Sequence, residues 1–194
     1  LSPAVNVNSV KDLLAQIRAN PGKFNYGSNG VGSGPHLAGA LFTSLAQLDV
    51  VHIPYKGDAA MTPALLGNEI QYAFLPGAAA TSLIRSGKLR ALGVASGSRV
   101  SFFPDLPTIA EAGLAGYEAD LWWGLFAPPK MAKERLARVH AEAAKALTSP
   151  DVKERYAGMG TDVVASAPEA FTAFMKIDSA KWEKVVKASG ARAD

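Results

Sequence analysis

The sequence contains no cysteine, which excludes several classes of protein at once. A disulfide-stapled scaffold, thiol catalysis and a cysteine-based zinc site are all ruled out, although the redox compartment stays open. The three histidines, His36, His52 and His140, form no H-x-x-x-H pair and join no paired carboxylates, so we predict no metal site. Long apolar runs are missing too, and none approaches the roughly 18 residues that a membrane helix needs.

The sequence also lacks a large excess of positive or negative charge. The net charge is +3, but Lys and Arg are scattered along the chain and often lie close to Asp or Glu, so we predict no nucleic-acid partner. Apolar residues, in contrast, make up 48% of the chain against 19% for charged residues. That balance is typical of a folded protein with a sizeable core and not of a disordered chain.

Apolar periodicity predicts alternating strands and helices in the first half of the chain. A first helix is predicted directly after Ser9, which suits the N-cap position. Strands are predicted at 24–26, 50–54, 70–75 and 89–95. Three further helices are predicted: one opened by Pro35, a short one that leads to Leu66, and one over 78–86. The alternation predicts an α/β fold with a parallel sheet. Right-handed crossovers would then gather loops 27–36, 55–58 and 75–78 at one edge of that sheet.

The last third of the chain reads as mostly helical. The pattern predicts a short helix at 109–112, strands at 121–127 and 162–164, helices at 132–147 and 151–157, and a final helix opened by the capping pair Ser166 and Glu169. Of Trp122 and Trp123, strand alternation should turn one toward the core or a cleft and the other away. The helices offer wide apolar faces with few strands to cover. We therefore expect an incomplete second lobe that an N-terminal segment ahead of Leu1 would complete.

The glycine loop, residues 27–36, is the main candidate binding site. Its glycines let backbone N–H groups approach an anion, and the N-terminus of the following helix adds partial positive charge. A merely flexible connection would have the same composition, and His36 would either bind a ligand or bond its helix neighbours. The loop matches neither G-x-G-x-x-G, G-x-x-x-x-G-K-[ST] nor G-x-S-x-G, and no spacing completes a catalytic triad. We predict no cofactor and no catalytic residue.

Seven segments, taken in order, resemble the Bug-type receptors of tripartite tricarboxylate transporters. They are KFNYGSNG at 23–30, PHLAG at 35–39, VHIPYKG at 51–57, GKLRAL at 87–92, FPDLPT at 103–108, EAG at 111–113 and WGLFAP at 123–128. The resemblance covers nearly the whole chain but corresponds to the middle and C-terminal portions of such a receptor. It implies a periplasmic-binding-protein-like α/β lobe, domain 2, over 1–121, with 122–194 as the helix-rich returning part of domain 1.

The resemblance also implies a function. A receptor of this kind holds a small carboxylate in the cleft between its lobes in the periplasm and delivers it to a membrane permease. The candidate ligand-binding residues are Ser28, Asn29, Gly30, Gly32, Ser33, Gly34, His36, Tyr55, Gly57, Gly77 and Ala78. Where relatives often carry an acidic or polar pair, this chain has Leu75 and Pro76, which favours a simple mono- or dicarboxylate over an amino acid.

Two other interpretations of the sequence stay open. An α/β enzyme acting on a small organic acid would share the sheet and the loops, although no nucleophile and base are visible in the sequence. A lobe without independent ligand binding would also fit, because half a cleft offers a ligand few contacts. Turnover of an organic acid would identify an enzyme, whereas a screen in which no ligand binds would favour a lobe without independent binding.

Overall fold

The computed structural model describes residues 1–191 and shows helices and strands alternating through the first half of the chain. The elements are α1 (Val10–Ala19), β1 (Asn25–Ser28), α2 (Gly34–Ala46), β2 (Val51–Pro54), α3 (Asp58–Leu66), β3 (Tyr72–Ala73), α4 (Gly77–Arg85), α5 (Lys133–Leu147), α6 (Pro150–Gly158) and α7 (Pro168–Ser189). Among these residues no helix combines the length and apolar character needed to cross a membrane.

Local sequence signals explain where the first helices begin. The Ser9 hydroxyl accepts a hydrogen bond from the Asp12 N–H at 3.1 Å, which caps α1 as predicted. Ser33 does the same for α2, and Pro35 occupies the first turn, where a missing N–H costs nothing. The predicted helices in this part of the chain are therefore confirmed.

The three strands form a parallel sheet in the order β2-β1-β3. Tyr26 of β1 lies beside His52 of β2 on one side and Tyr72 of β3 on the other. Because all three strands run in the same direction, the loops that follow them leave from the same edge of the sheet. The predicted α/β class is confirmed.

Helices cover both faces of this sheet and bury two apolar clusters. On one face, Tyr26 and Tyr72 pack with Phe42 of α2 and with Tyr117, whose hydroxyl donates to the Ala38 carbonyl at 3.2 Å. On the other face, Met61, Leu65 and Ile70 are fully buried between α3 and the sheet. The core of the described chain thus lies almost entirely within its first 119 residues.

Two predictions in the segment after α4 were wrong. Residues 89–95 form no strand beside β3, because their backbone groups bond to loops: the Val94 N–H donates to the Pro107 carbonyl at 2.9 Å, and the Ala95 carbonyl accepts from Ala119. A single bridge, Val94 with Thr108, is what forms. Residues 109–112 adopt turns and no helix.

The strands predicted at 121–127 and 162–164 were also wrong. Residues 121–127 form neither a helix nor a strand within the described chain, and Trp123 and Leu125 are 69% and 73% exposed. Trp122 turns the other way and packs edge-on against Phe171 and Phe174 of α7. Asp162 accepts from the Ser101 backbone N–H at 3.2 Å, and this loop contact replaces the strand expected there.

The C-terminal helices agree with the sequence in position but not in capping. Helix α7 begins at Pro168 after Ala167, and among the described residues no side chain caps it, so the predicted pair Ser166 and Glu169 was wrong. Phe171 and Trp182 are half-buried, and Phe174 is 36% exposed. Helix α7 packs on α2. The predicted domain 122–194 extends past residue 191, and its last three residues lie outside the described ones.

Candidate functional site

The glycine loop joins β1 directly to α2 at the edge where the strands end. Strand β1 finishes at Ser28 and α2 begins at Gly34, so the connection is only five residues long. The second predicted loop lies against it, because the Tyr55 N–H donates to the Ser28 carbonyl at 2.9 Å and the Gly57 N–H to the Asn29 carbonyl at 3.3 Å. The expected convergence of these two loops is therefore observed.

Ser28 and Ser33 tie the loop to itself through one carbonyl group. The Ser28 hydroxyl donates to the Gly30 carbonyl at 3.0 Å, and the Ser33 hydroxyl donates to the same oxygen at 2.7 Å. The Gly30 N–H returns to the Ser28 oxygen at 3.3 Å. Because Ser28 is fully buried, its hydroxyl shapes the loop and is not presented to the surface.

Gly30 and Gly32 give the loop its curvature. Their φ angles are +146° and +75°, and a Cβ atom at either position would meet no heavy atom within 4 Å. The loop backbone therefore borders open space at these two residues. Gly34 differs, because its Cα is covered by the Leu121 side chain.

His36 lies behind the loop, where its ring accepts a hydrogen bond. The Gly32 N–H donates to His36 Nδ1 at 3.0 Å, so that nitrogen carries no proton. Burial lowers the pKa of His36 and favours the neutral ring that this bond requires. Of the two roles predicted for His36, bonding to its neighbours is the one that the geometry displays.

His52 completes the cluster, and the sequence did not single it out as a site residue. Its Nε2 lies 2.7 Å from the Ser28 hydroxyl oxygen, and its ring stacks on that of His36 with centroids 4.0 Å apart. Burial and the neighbouring His36 lower the pKa of His52 to about 4. Its neighbour in β1, Tyr26, is the signal that could have located it, but this cross-strand pairing is fixed only once the register is known.

Polar atoms that lack partners lie where the second loop meets the glycine loop. Gly57 has a φ angle of +91°, with open space where a Cβ would lie. Within residues 1–191, the buried Oδ1 atoms of Asn29 and Asp58 have no hydrogen-bond partner. Asn29 makes the contact with Gly57, and Asp58 directly follows Gly57 in the chain. This corner of the edge therefore offers acceptor atoms, while the Gly57 N–H already donates to Asn29.

The third predicted loop is positioned differently. Gly77 packs so closely against the backbone of Gly160 that a Cβ would collide with it, and the Gly77 carbonyl accepts from Thr81 Oγ1 at 2.7 Å. Ala78 is exposed beside it. Gly77 thus contacts the C-terminal part of the chain, whereas Tyr55 and Gly57 bond directly to the glycine loop.

The arrangement suits an anion better than a metal or a reaction. The start of a helix and a glycine-rich turn place backbone dipoles at the same edge, where a carboxylate is stabilised. Within residues 1–191 no group of three or more His, Asp or Glu side chains is arranged to hold a metal ion. The contact between Ser28 and His52 has the separation of a nucleophile and base, but the serine is fully buried.

Comparisons with known proteins relate the chain to a family of transporter receptors. The family model described as TctC, tripartite tricarboxylate transporter family receptor, matches residues 1–191. Protein BugT from Bordetella pertussis is 31% identical over 191 residues, which cover 98% of this chain and 59% of that protein. The chain therefore spans little more than half of this relative's length.

Solved structures give the same result. R. palustris Rpa4515 with adipate has a TM-score of 0.83 at 29% identity, covering 98% of this chain and 64% of that one. MatC from Rhodopseudomonas palustris with bound malate has a TM-score of 0.76 at 27% identity, covering 92% and 62% respectively. With its motifs, its fold and the family model in agreement, the chain belongs to the tripartite tricarboxylate transporter receptor family, to which the Bug proteins also belong.

Proposed function

We propose that this chain is the ligand-binding part of a periplasmic solute receptor that captures a small mono- or dicarboxylate and delivers it to a tripartite transporter permease. Family membership supports the receptor role. The similar structures bound to adipate and malate support a dicarboxylate as the ligand. Family membership also supports the periplasmic location and the permease as the partner.

The observation that carries the proposal is the form of the glycine loop. Its open side is backbone at Gly30 and Gly32, and it leads straight into the N-terminus of α2. Backbone N–H groups in such a turn, reinforced by the helix dipole, stabilise a carboxylate without any cationic side chain. Lys56, the nearest cation in the sequence of the second loop, is exposed and stays a solvated lysine in this proposal.

The structure suggests different roles for the proposed site residues. The ligand packs against the backbone of Gly30, Gly32 and Gly57, whose N–H groups already donate to Ser28, His36 and Asn29. In this proposal the backbone N–H groups of Asn29 and Gly34 donate to the carboxylate. Ser28, Ser33 and His36 hold the loop in shape, and Tyr55 lies beside it. Gly77 and Ala78 form a more distant wall of the site.

The ligand cleft is proposed to lie between two lobes with a boundary near residue 121. Residues 1–121 are domain 2 and 122–194 are the returning part of domain 1. The exposed apolar side chains of Trp123, Leu125 and Phe126 support a boundary here, because a strand-like segment of this kind is normally covered in a complete lobe.

An enzyme acting on a small acid is the second candidate, and the contact between Ser28 and His52 is the observation that favours it. Two facts oppose it. Ser28 is fully buried and already donates to Gly30, and the low pKa of His52 makes its imidazole a weak base near neutral pH. Within residues 1–191 the hydrogen bonds of His52 include no carboxylate that would orient the ring.

A thermal-shift screen tests the proposal in this chain and in the full protein that its gene encodes. The panel is succinate, adipate, malate, aspartate and nicotinate, with the neutral diamides of succinate and adipate as matched controls. An acid at 100 times its Kd should stabilise the protein by about 2.7 kcal/mol, and its diamide should not.

The outcomes separate the candidate functions. A shift confined to the full protein would mean that this part binds only with the rest of the receptor. Failure of every acid in both proteins would contradict the receptor proposal, and consumption of an acid detected by NMR would support the enzyme. A preference for aspartate over succinate would overturn the expected selection of simple acids.

A further inference from the structure

His52 contacts the glycine loop at two separate points. It lies on the edge strand β2, directly beside Tyr26 in the parallel register. Its Nε2 approaches the Ser28 oxygen at 2.7 Å, and its ring lies between those of Tyr26, 4.8 Å away, and His36, 4.0 Å away. One ring therefore contacts the residue that opens the loop and the residue that closes it.

The contact with Ser28 orients a hydroxyl group. Since the Ser28 O–H donates to the Gly30 carbonyl, the lone pairs of its oxygen are left to accept from His52 Nε2–H and from the Gly30 N–H. Without the imidazole donor, the hydroxyl is free to rotate away from Gly30. The conformation of residues 28–30 thus depends on a side chain from the neighbouring strand.

The contact with His36 orients a ring. His36 must keep its Nδ1 facing the Gly32 N–H, and the nearly parallel stack, with 13° between the two ring planes, restricts its rotation. On the other side, the Tyr26 hydroxyl donates to the His36 carbonyl at 3.5 Å. The conformation at Gly32 therefore also depends on His52.

We propose that His52 is a positioning residue of the anion site, holding the glycine loop in its binding conformation through the Ser28 hydroxyl and through its stack on His36. This inference rests on the proposed carboxylate-receptor function. It assigns to His52 no contact with the ligand itself. His52 lies in the VHIPYKG segment, but its contacts with Ser28 and His36 are not evident from the sequence.

The surroundings keep both rings neutral at ordinary pH. Tyr26 and, behind it, Tyr72 face the stack from the sheet, and burial raises the pKa of both, that of Tyr26 to about 12. The rings of His36 and His52 line a cavity of about 680 Å³, and Lys184 of α7 lines it as well. Protonation of His36 at Nδ1 would remove the acceptor for Gly32, so acid should loosen the loop.

Isothermal titration calorimetry with adipate and malate tests the proposal on the full protein. The variants are H52A, H52Q, S28A and H52A/S28A, with H140Q as the control because His140 contacts only the Ser166 carbonyl among its hydrogen bonds in the described chain. We expect H52A to weaken binding by about three- to tenfold, the effect of one lost hydrogen bond, and H52Q, which keeps a donor, to restore most of it. The double variant should lose clearly less than the sum of the two single losses, because H52A and S28A both remove the contact between Ser28 and His52.

NMR of the ligand-free protein gives a second readout that needs no binding. H52A should shift the Gly30 and Gly32 amide signals and raise the pKa of His36, because its ring becomes more hydrated. Unchanged amide signals, or additive losses in the double variant, would overturn the positioning role. If neither acid binds but the amide signals shift, the receptor proposal fails while the positioning of the loop stands.

Discussion

Gly32 provides a test of the loop at the level of one backbone angle. Its φ of +75° is a conformation that L side chains rarely adopt, and a Cβ would meet nothing within 4 Å. A methyl group at this position would therefore act through the backbone alone. We expect Gly32→Ala to weaken carboxylate binding at least as much as H52A, with a loss of about 1 kcal/mol in the free energy of unfolding.

Gly158 is the matched control for that substitution. It also has open space around its Cα, but it ends helix α6 without a positive φ. Gly158→Ala should leave ligand affinity unchanged and alter the free energy of unfolding by less than about 1 kcal/mol. If wild type and Gly32→Ala bind the ligand with equal affinity in calorimetry, the glycine loop is not part of the binding site.

Some residues of the candidate site can be predicted from the local sequence, and others cannot. The position of the glycine loop and the start of α2 could be predicted, because glycine content and a proline in the first turn are local signals. The cap that Ser33 provides was not predicted. The role of His52 could not, because it depends on a partner 24 positions away that comes near only through the strand register. The contact of Gly77 with Gly160 is likewise tertiary, with no counterpart in the local sequence.

At the scale of elements, the same distinction separates the correct predictions from the wrong ones. Helices α1 and α2 carry their own caps, and β1 and β2 alternate with helices that cover them, so periodicity was sufficient. The run 121–127 is as apolar as a buried strand, but a strand also requires a neighbour for its backbone groups. Within residues 1–191 that neighbour is absent. Trp122 and Phe126 contact Phe171 of α7, whereas Trp123 and Leu125 face solvent.

The attachment of this segment to α7 depends on one buried polar contact. Trp122 Nε1–H donates to Asp178 Oδ2 at 2.9 Å, and Asp178 is 5% exposed. Trp122→Phe would leave that oxygen without its donor, although Lys181 still pairs with the other oxygen at 2.9 Å. We expect a loss of about 1–3 kcal/mol in the free energy of unfolding, measured in urea.

The neighbouring tryptophan is the control. Trp123 is 69% exposed, so Trp123→Phe should change the free energy of unfolding by no more than about 0.5 kcal/mol. Equal losses for the two substitutions would mean that residues 121–127 are not attached to α7 through Trp122.

Over the whole molecule, burial is distributed unevenly. The two apolar clusters join α1, α2, α3 and the sheet, whereas every described residue of α5 and α6 is at least partly exposed. Helix α7 is intermediate, because Val185 is buried and Trp182 packs against the larger cluster. This gradient follows the proposed boundary near residue 121 and predicts that the chain does not unfold as one cooperative unit.

Hydrogen exchange of the chain measures this gradient directly. Amides of β1, α2 and α3 should exchange only through global unfolding, those of α7 faster, and those of α5 and α6 fastest, because local opening there exposes almost no new apolar surface. Low urea should accelerate exchange of the slowest amides and leave the fastest nearly unchanged. The dependence of each opening free energy on urea concentration reports the surface that the opening exposes. Equal protection of α5 and β1 would contradict the proposed boundary, because the two parts would then open together. The two-lobe proposal requires a different result. Amides of α5 and α6 should exchange slowly in the full protein and fast in this chain, because residues outside 1–191 would then cover the two helices.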